Sequence, residues 1–446
     1  MFADRQGNAM TGGTGDAVAR FDEAVAAFNI YRGDPVALVD GAIAAAPTFA
    51  MAHIFKAWLF AVATEPEAAA AARTIVAHVK SLPMNDRERS HVVALDHVLA
   101  NNWTDAAVAL DHHNMRHPHD LVALQAGSLV DFFRANARDL RDRIARVLPQ
   151  WSEDRPGYSI VLGLYAFGLE ETGDYARAEA MGRDAVDRQP LDAWAHHAVA
   201  HVMEMQGRAA DGIRWMEERE PHWSGDENFF QVHNWWHKAL FHFDLGERDR
   251  VLALYDQRIR AGNSIIAIDL VDASALLWRA HLDGIDVGRR WDEVAAAWDQ
   301  HADGKLYPFN DWHAAMAWLG ADRQHDVDRL IAHFRRDAAP VNEVERWARA
   351  TGLPLIEGFA AFWRGDYTAA VERLHPARFI ANTFGGSHAQ RDIIDWTLIE
   401  AAIRGGMMDT ATALAHERLA LKPHGVINGS FLSRAGAIGS KTNLAA

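Results

Sequence analysis

The feature that most constrains this chain is a repeated pair of helix-like segments joined by a glycine turn. Each segment continues from the turn with small and apolar residues at helical spacing, and most close on proline. The clearest turns begin at Gly173, Gly207, Gly246, Gly365 and Gly405. Each segment follows another of similar length, so the period is about 34–40 residues. Runs of alternating apolar and polar residues, typical of strands, are missing.

This period is the signature of tetratricopeptide-type helical hairpins. Looser helix pairs are predicted over 16–46, 47–82, 86–118, 119–150, 267–303 and 306–338. We therefore predict an all-α fold, an α-α superhelix formed as a tetratricopeptide-like solenoid of roughly ten helical hairpins. The predicted organisation is a disordered N-terminus over residues 1–15, a single solenoid over 16–433 and a flexible tail over 434–446.

Charge and composition narrow the function classes. The formal net charge is −15 and the chain has no cysteine. An acidic surface repels phosphate groups, so we expect neither nucleic acid nor a membrane as a partner. Without cysteine there are no disulfides, thiolate nucleophiles or iron–sulfur clusters. The first sixteen residues contain no secretory signal, and no run of 18 apolar residues occurs. These features predict a soluble, cytoplasmic protein.

Histidines concentrate in the window 193–246, which holds seven of the 24 in the chain. His197 with His201, and His233 with His237, have i,i+4 spacing, which places both rings of a pair on one helix face. Adjacent first helices lie side by side, so we expect both pairs to face one cavity. Imidazole suits transition metals, so the four histidines are a predicted site for zinc or iron. The alternatives are a metal-free ligand or acid–base pocket and structural, hydrogen-bonded histidines.

Two carboxylates are candidates for orienting catalytic histidines. Asp272 lies in IDLVDASALLWRAHL and Asp311 in FNDWHAAM. A carboxylate behind a histidine fixes its ring and its tautomer. We predict His201 and His233 as proton-transfer groups or metal ligands, oriented by these two carboxylates. The plainer alternatives are a structural ion pair for Asp272 and a helix cap for Asp311.

The segment FGGSHAQRD, residues 384–392, is the predicted site for the anionic end of a ligand. Ser387 can cap the helix that begins near His388, and backbone N–H groups at a helix start attract anions. Arg391 offers a bidentate guanidinium for a carboxylate or phosphate. The alternative is a capping turn with a salt bridge from Arg391 to a nearby aspartate. A serine-hydrolase triad is disfavoured, because no GxSxG motif surrounds Ser387 and no strand precedes it.

Aromatic residues flank these polar motifs. Trp194 and Trp236 are predicted to line a ligand pocket, together with His197, His237 and His313. Aromatic walls with a few convergent polar groups are typical of small-ligand pockets. The alternative is that these tryptophans are core residues at helical spacing.

A further histidine-rich segment, HHNMRHPH at residues 112–119, straddles a turn and is polar throughout. We predict a solvated loop there, with adventitious metal binding as the alternative.

The motifs HAVAH…HNWWHKALFH, LYDQRI, FNDWHAAMAWLG and GGSHAQRD, in this order, resemble the tetratricopeptide repeat protein 38 family over about residues 20–430. The resemblance implies an α-α superhelix that closes more than an ordinary scaffold does. It implies no particular activity.

We therefore predict a helical-repeat protein whose enclosed concave pocket of His, Trp, Asp and Arg binds a small polar or anionic molecule. The expected chemistry is acid–base or metal-assisted, of hydrolase or lyase type. The alternative is a non-catalytic protein–protein interaction scaffold. Against it, the predicted inward positions carry His and Trp rather than the Lys and Asn that grip a peptide. A protein partner or a homo-oligomer is compatible with either function.

Overall fold

The computed structural model describes residues 2–442, which are almost entirely α-helical. They divide into two compact units. The first comprises the chain through Val199 with Glu220–Gln231 and Val341–Val344, and the second comprises Ala200–Arg219, Val232–Pro340 and the chain from Glu345 onward. The all-α prediction is confirmed, while the single solenoid over 16–433 stays a prediction. No described helix has both the length and the apolar character that crossing a lipid bilayer requires.

The first unit begins with a two-stranded antiparallel hairpin and continues as consecutive helix pairs. The strands are β1 (Phe2–Ala3) and β2 (Ala9–Met10). The helices are α1 (Gly15–Asn29), α2 (Pro35–Ala45), α3 (Ala50–Ala61), α4 (Pro66–Val79), α5 (Asp86–Leu99), α6 (Trp103–Arg116), α7 (Leu121–Phe133), α8 (Ala137–Val147), α9 (Tyr158–Glu171) and α10 (Tyr175–Arg188).

Helix α11 (Ala193–Met205) begins in the first unit and ends in the second. The chain continues with α12 (Ala209–Glu218), α13 (Glu220–Trp223), α14 (Gln231–Asp244), α15 (Arg248–Leu254), α16 (Ala267–Leu282), α17 (Arg290–Trp298), α18 (Pro308–Gly320) and α19 (Gln324–Phe334). It ends with α20 (Glu343–Trp347), α21 (Leu353–Trp363), α22 (Tyr367–Ala377), α23 (His388–Arg404), α24 (Met408–Leu421) and α25 (Val426–Thr442).

Eleven helix pairs in residues 2–442 close through the same left-handed turn. One residue with φ between +52° and +82° precedes the second helix of the pair by two positions. That residue is glycine at Gly33, Gly173, Gly207, Gly246, Gly288, Gly365 and Gly406, and carries a side chain at Thr64, Asn101, Ala135 and Asp322. Glycine adopts this conformation without the steric cost that other residues bear. The predicted repeat is therefore confirmed and extends over eleven pairs.

Small residues and aromatic rings position the helices. A Cβ atom at Gly212 of α12 would lie 2.4 Å from the ring of Phe241 on α14, so only glycine permits this approach. In the first unit the Phe21 ring packs against Phe49 and Phe55, with centroids 5.5 and 5.7 Å apart. Such pairs combine large apolar burial with a preferred edge geometry, and they fix the spacing of neighbouring hairpins.

The N-terminal segment is ordered, which differs from the disorder predicted for residues 1–15. The backbone N–H of Thr11 donates to Glu88 of α5 over 2.8 Å. Arg87 of the same helix donates to the carbonyl of Ala9 over 3.2 Å. The polar, glycine-rich composition indicated disorder, but side chains on α5 satisfy this backbone and hold it in place.

The C-terminal segment also differs from its prediction. Helix α25 includes residues 434–442 of the predicted flexible tail, and residues 443–446 lie outside the described range. Phe431 lies edge-on to Trp396 of α23, with centroids 6.0 Å apart. This buried aromatic contact anchors a helix whose small and polar sequence indicated fraying.

Candidate functional site

The parts of three helices that lie in the second unit bring together the polar residues of the candidate site. Helix α14 presents His233 and His237 one turn apart, as their i,i+4 spacing predicts. Helix α11 supplies His201, and α16 supplies Asp272. All four side chains are buried. Their burial makes the interaction between them strong, because little water screens it.

The three histidine rings lie against one another. The centroids of His201 and His237 are 4.5 Å apart, and those of His233 and His237 are 4.9 Å apart. One ring nitrogen from each histidine lies within 4.8 Å of the corresponding nitrogens of the others. We call His201, His233 and His237 the histidine centre.

Asp272 orients one ring of the histidine centre. The Nδ1–H of His233 donates to Oδ2 of Asp272 over 2.8 Å, which directs the Nε2 atom away from the carboxylate. The second oxygen, Oδ1, has no hydrogen-bond partner among residues 2–442. Burial raises the pKa of Asp272, and the neighbouring His233 opposes that rise. Asp272 is therefore paired with His233, and its role in orienting a catalytic histidine stays a prediction.

The protonation state of His237 follows from its surroundings. Burial lowers the pKa of His237 well below its usual value, and the imidazoles of His201 and His233 lower it further. The ring is therefore neutral at physiological pH. A neutral imidazole is the form that coordinates metals and accepts protons.

Trp236 connects the histidine centre to a buried arginine that the sequence analysis did not select. The indole is stacked with His233 at 5.3 Å and 17° and is edge-on to His237 at 4.8 Å. The guanidinium of Arg279 lies over the same indole, 5.4 Å from its centroid. The sequence did contain a sign of this arginine, because Arg279 follows Asp272 by two helical turns and so lies on the same face of α16.

The second predicted carboxylate does not reach the histidine centre. Asp311 of α18 accepts a hydrogen bond from the backbone N–H of Gly304 over 3.0 Å, and burial raises its pKa well above its usual value. Asp311 therefore supports a loop and does not orient a histidine, contrary to the prediction. Nearby, the Nδ1 atom of His313 bonds to the carbonyl of Phe309 over 2.8 Å, and burial lowers the pKa of His313 to about 3.

The segment before α23 forms a capping turn. Ser387 accepts from the N–H of Gln390 over 3.2 Å, and the Gln390 side chain accepts from the N–H of Ser387 over 3.0 Å. Arg391 donates to the carbonyls of the two glycines that precede Ser387. The arginine thus fastens the glycine turn. The ligand-binding role of Ser387, His388 and Arg391 stays a prediction.

Trp194 and His197 lie in the first unit, on the early part of α11. Trp194 is stacked with Tyr31 at 5.8 Å and 11°, and His197 is stacked with Phe167 at 5.5 Å and 26°. Both side chains are buried in this aromatic group. The ligand role of both residues, and the metal role of His197, stay predictions.

The first unit contains a second histidine cluster that the sequence analysis missed. The Nε2 atoms of His91 and His113 lie 2.9 and 3.1 Å from Oδ2 of Asp120, as hydrogen-bond donors to it. Arg87 forms a salt bridge to the same oxygen. We call Arg87, His91, His113 and Asp120 the Asp120 cluster.

The remaining ring nitrogens of the Asp120 cluster are also engaged. Trp58 Nε1–H donates to Nδ1 of His91 over 3.1 Å, and Ser90 Oγ lies 2.5 Å from Nδ1 of His113. The solvated loop predicted over 112–119 was therefore wrong for His113, because α6 extends through it and buries its ring. Helical spacing alone gave no sign that α5, α6 and Asp120 would converge.

Comparison with known proteins gives short and distant similarities. No family model matches the chain. The chain is similar to Cellulose synthase 1 operon protein C of Komagataeibacter xylinus, with 32% identity over 102 residues, which is 23% of this chain and 8% of that protein. Cellulose synthase operon protein C of Komagataeibacter sucrofermentans is 31% identical over 102 residues. The chain thus spans less than a tenth of the length of these curated relatives.

Two solved structures resemble the chain over most of its length. The Cut9–Hcn1 hetero-tetramer of APC/C has 15% identity and a TM-score of 0.44, covering 94% of this chain and 76% of that chain. The human IFIT1 dimer with PPP-AAAA has 12% identity and a TM-score of 0.42, covering 96% of each chain. From its own hairpins and their left-handed turns, the chain is an all-α helical-repeat protein of the tetratricopeptide-like kind.

Proposed function

We propose that the protein is a metal-dependent enzyme of hydrolase or lyase type, whose histidine centre binds zinc or iron and acts on a small polar or anionic molecule. The observation that carries this proposal is the convergence of three buried imidazoles within 4.8 Å. Three histidine ligands and one open position make up a common arrangement of catalytic zinc.

The donor set fits such an ion. A tetrahedral ion with bonds of about 2.0–2.1 Å separates its ligand nitrogens by about 3.3 Å. Each ring of the histidine centre would therefore move by less than about 1 Å to coordinate.

The surroundings of the rings support the proposal. The hydrogen bond from His233 to Asp272 is the carboxylate–histidine arrangement that orients metal ligands and fixes their tautomer. The low pKa of His237, caused by burial, means that no proton has to leave before this ring coordinates.

The reaction class follows from these groups. Zinc or iron held by His201, His233 and His237 would supply Lewis acidity for a carbonyl or phosphoryl group of the substrate. Asp272 holds the His233 ring in one orientation, and the buried indole of Trp236 is stacked on that ring. Hydrolysis and elimination both use such a site.

Metal analysis of chelator-free protein tests the proposal. We expect about one equivalent of zinc or iron per chain after reconstitution and dialysis. His201→Gln and His237→Gln should each lose most of it, while His91→Gln in the Asp120 cluster should retain it. Circular dichroism confirms that each variant is folded. Hydrolysis of small ester, amide and phosphate substrates, abolished by a chelator, tests the reaction class.

Two results would contradict the proposal. One is wild-type protein that retains no zinc or iron after reconstitution. The other is full metal content in both variants of the histidine centre. Membership of the tetratricopeptide repeat protein 38 family, a cytoplasmic location and a protein partner stay predictions.

A further inference from the structure

One buried cation of the second unit has no counter-ion beside it. Arg279 is only 1% exposed. Within the described residues its nitrogens donate to two backbone carbonyls, those of Ala275 at 3.3 Å and Ala389 at 2.8 Å, and no carboxylate oxygen lies within ion-pairing distance. A guanidinium carries five N–H donors, so these two bonds leave most of its donors available.

The acidic groups nearest to this arginine are engaged elsewhere. Asp392 makes a bidentate ion pair with Arg418, at 2.8 and 3.0 Å. Glu204 accepts from Lys422 over 2.6 Å. Asp272, on the same helix as Arg279, accepts from His233. These carboxylates act on Arg279 from a distance, and none of them pairs with it.

Arg279 remains charged in spite of its burial. Burial lowers the pKa of the guanidinium to about 10, and the distant Asp392 and Glu204 oppose that decrease. At neutral pH the group is therefore protonated. An unpaired charge in a protein interior is strongly unfavourable, and a bound anion would supply the missing opposite charge.

Arg279 lies on the same helix as Asp272 and shares the Trp236 indole with the histidine centre. Asp272 and Arg279 are seven residues apart on α16, which is two turns and about 10 Å. The bond to Ala275 shows that the Arg279 side chain leans back along the helix towards Asp272. Trp236 contacts both His233 and Arg279. Measured along the axis of α16, the guanidinium therefore lies roughly 5–10 Å from Asp272.

We infer that Arg279 anchors the substrate, and that this substrate is a small molecule with a terminal oxyanion, a carboxylate or a phosphate. The inference rests on the proposed function, because it places the reacting group of that substrate at the histidine centre. The oxyanion accepts from the guanidinium while Trp236 packs along the intervening atoms. The spacing fits a molecule whose charged end is roughly 5–10 Å from the bond that reacts.

The test uses the full chain and two probe anions, inorganic phosphate and succinate, with chloride at matched ionic strength as the reference. Thermal unfolding and titration calorimetry measure their binding. We expect at least one probe to raise the unfolding temperature of the wild type. Arg279→Met should weaken its binding by at least about thirtyfold, and Arg279→Lys should weaken it less.

Stability without ligand separates an anchor from a structural arginine. Arg418 is the matched control, since it is also buried and also lies over Trp396, at 5.7 Å against 6.0 Å for Arg279. Arg418→Met breaks the ion pair with Asp392 and should lower the unfolding temperature. Arg279→Met removes a charge without an ion pair and should leave that temperature unchanged or raise it.

Several outcomes would overturn the inference. These are a wild type that binds neither probe, an Arg279→Met variant that binds both as tightly as the wild type, and a loss of stability matching that of Arg418→Met. Arg279→Gln is the second variant, and failure of both to fold assigns Arg279 a structural role. Metal content is measured in the same preparations. If the protein binds metal but its anion binding does not depend on Arg279, only this inference is overturned. If anion binding depends on Arg279 but the protein binds no metal, the anchor is supported and the proposed function is contradicted.

Discussion

The two histidine clusters of this protein share residue types and reach opposite electrostatic states. In the Asp120 cluster one carboxylate accepts from an arginine and two histidines and also caps α7 through the N–H of Ala123. Burial alone would raise the pKa of Asp120, but Arg87 and the histidines hold it well below its usual value. In the histidine centre, Asp272 accepts from His233 alone, and burial raises its pKa.

The comparison shows that proximity of ligating atoms does not define a site. The atoms of His91, His113 and Asp120 also lie within 4.8 Å of one another. There, however, donors occupy the carboxylate, and Trp58 and Ser90 occupy the outer ring nitrogens. Such a network has a structural role, because a metal ion could bind there only by breaking these hydrogen bonds. Asp272 accepts fewer hydrogen bonds than Asp120, which favours the histidine centre as the catalytic site.

The largest expected difference between the clusters is in stability. Asp120→Asn leaves Arg87 buried without its ion pair, so we expect the free energy of unfolding to fall by about 3–5 kcal/mol. Asp272→Asn removes the charge from one histidine hydrogen bond and should cost about 1 kcal/mol. Urea unfolding of both variants measures these values. Equal losses would remove the distinction between the clusters.

Acid should weaken the Asp120 cluster through His91. Burial lowers the pKa of His91 to about 4, so as the pH falls from 6.5 the unfolded chain takes up a proton before the folded chain does. The free energy of unfolding therefore decreases between pH 6.5 and 4, by up to about 3 kcal/mol for this residue. His91→Gln still carries a donor for Asp120 and should show a flatter pH dependence. Guanidinium unfolding at steps from pH 4 to 7.5 measures the slope, and a slope identical to that of wild type contradicts the prediction.

Metal affinity should depend on the carboxylate behind the histidine centre. Asp272→Asn should weaken zinc binding by about 10–100-fold, because His233 loses the charged partner that orients it. Asp311→Asn is the matched control, since it changes a buried carboxylate that bonds to a loop. Competition with a chromophoric chelator gives both affinities. Equal weakening by the two variants would show that Asp272 has no specific role.

The smallest expected change in stability concerns the left-handed residues of the turns inside the helix pairs. Ala135 in the first unit has φ +52° at the position where Gly173 has +82° in another pair. Ala135→Gly should raise the free energy of unfolding by up to about 1 kcal/mol, because glycine relieves the left-handed strain. Gly173→Ala should lower it by about 1 kcal/mol, although a Cβ there meets no atom within 4 Å. Chemical denaturation measures both, and opposite signs would show that the turns are unstrained.

The sequence predicted what depends on local periodicity. The glycine turns revealed the pair closed by Gly173 and most hairpins of the second unit, and the spacing of His233 and His237 predicted their common face. The looser pairs of the first unit were harder to recognise because Thr64, Asn101 and Ala135 replace glycine at the turn. The sequence predicted Asp272 as a carboxylate beside His201 or His233, and the structure pairs it with His233.

The parts that the sequence did not predict depend on tertiary packing. His91, His113 and Asp120 come from three separate segments, and no spacing rule connects them. The sequence likewise gave no sign that Arg391 donates to the carbonyls of the two glycines before Ser387. The lack of an ion pair at Arg279 is visible only once the partners of Arg418 and Lys422 are known.

The constant offset between the left-handed residue and the second helix has a consequence for how such a chain can change length. Because the turn inside each of the eleven pairs has the same geometry, a whole hairpin can be duplicated or deleted by recombination without disturbing the turn between its own two helices. A single inserted residue inside a helix instead turns everything after it by about 100°, which exposes its buried face. Natural and engineered variants of this protein should therefore differ in size by multiples of one hairpin.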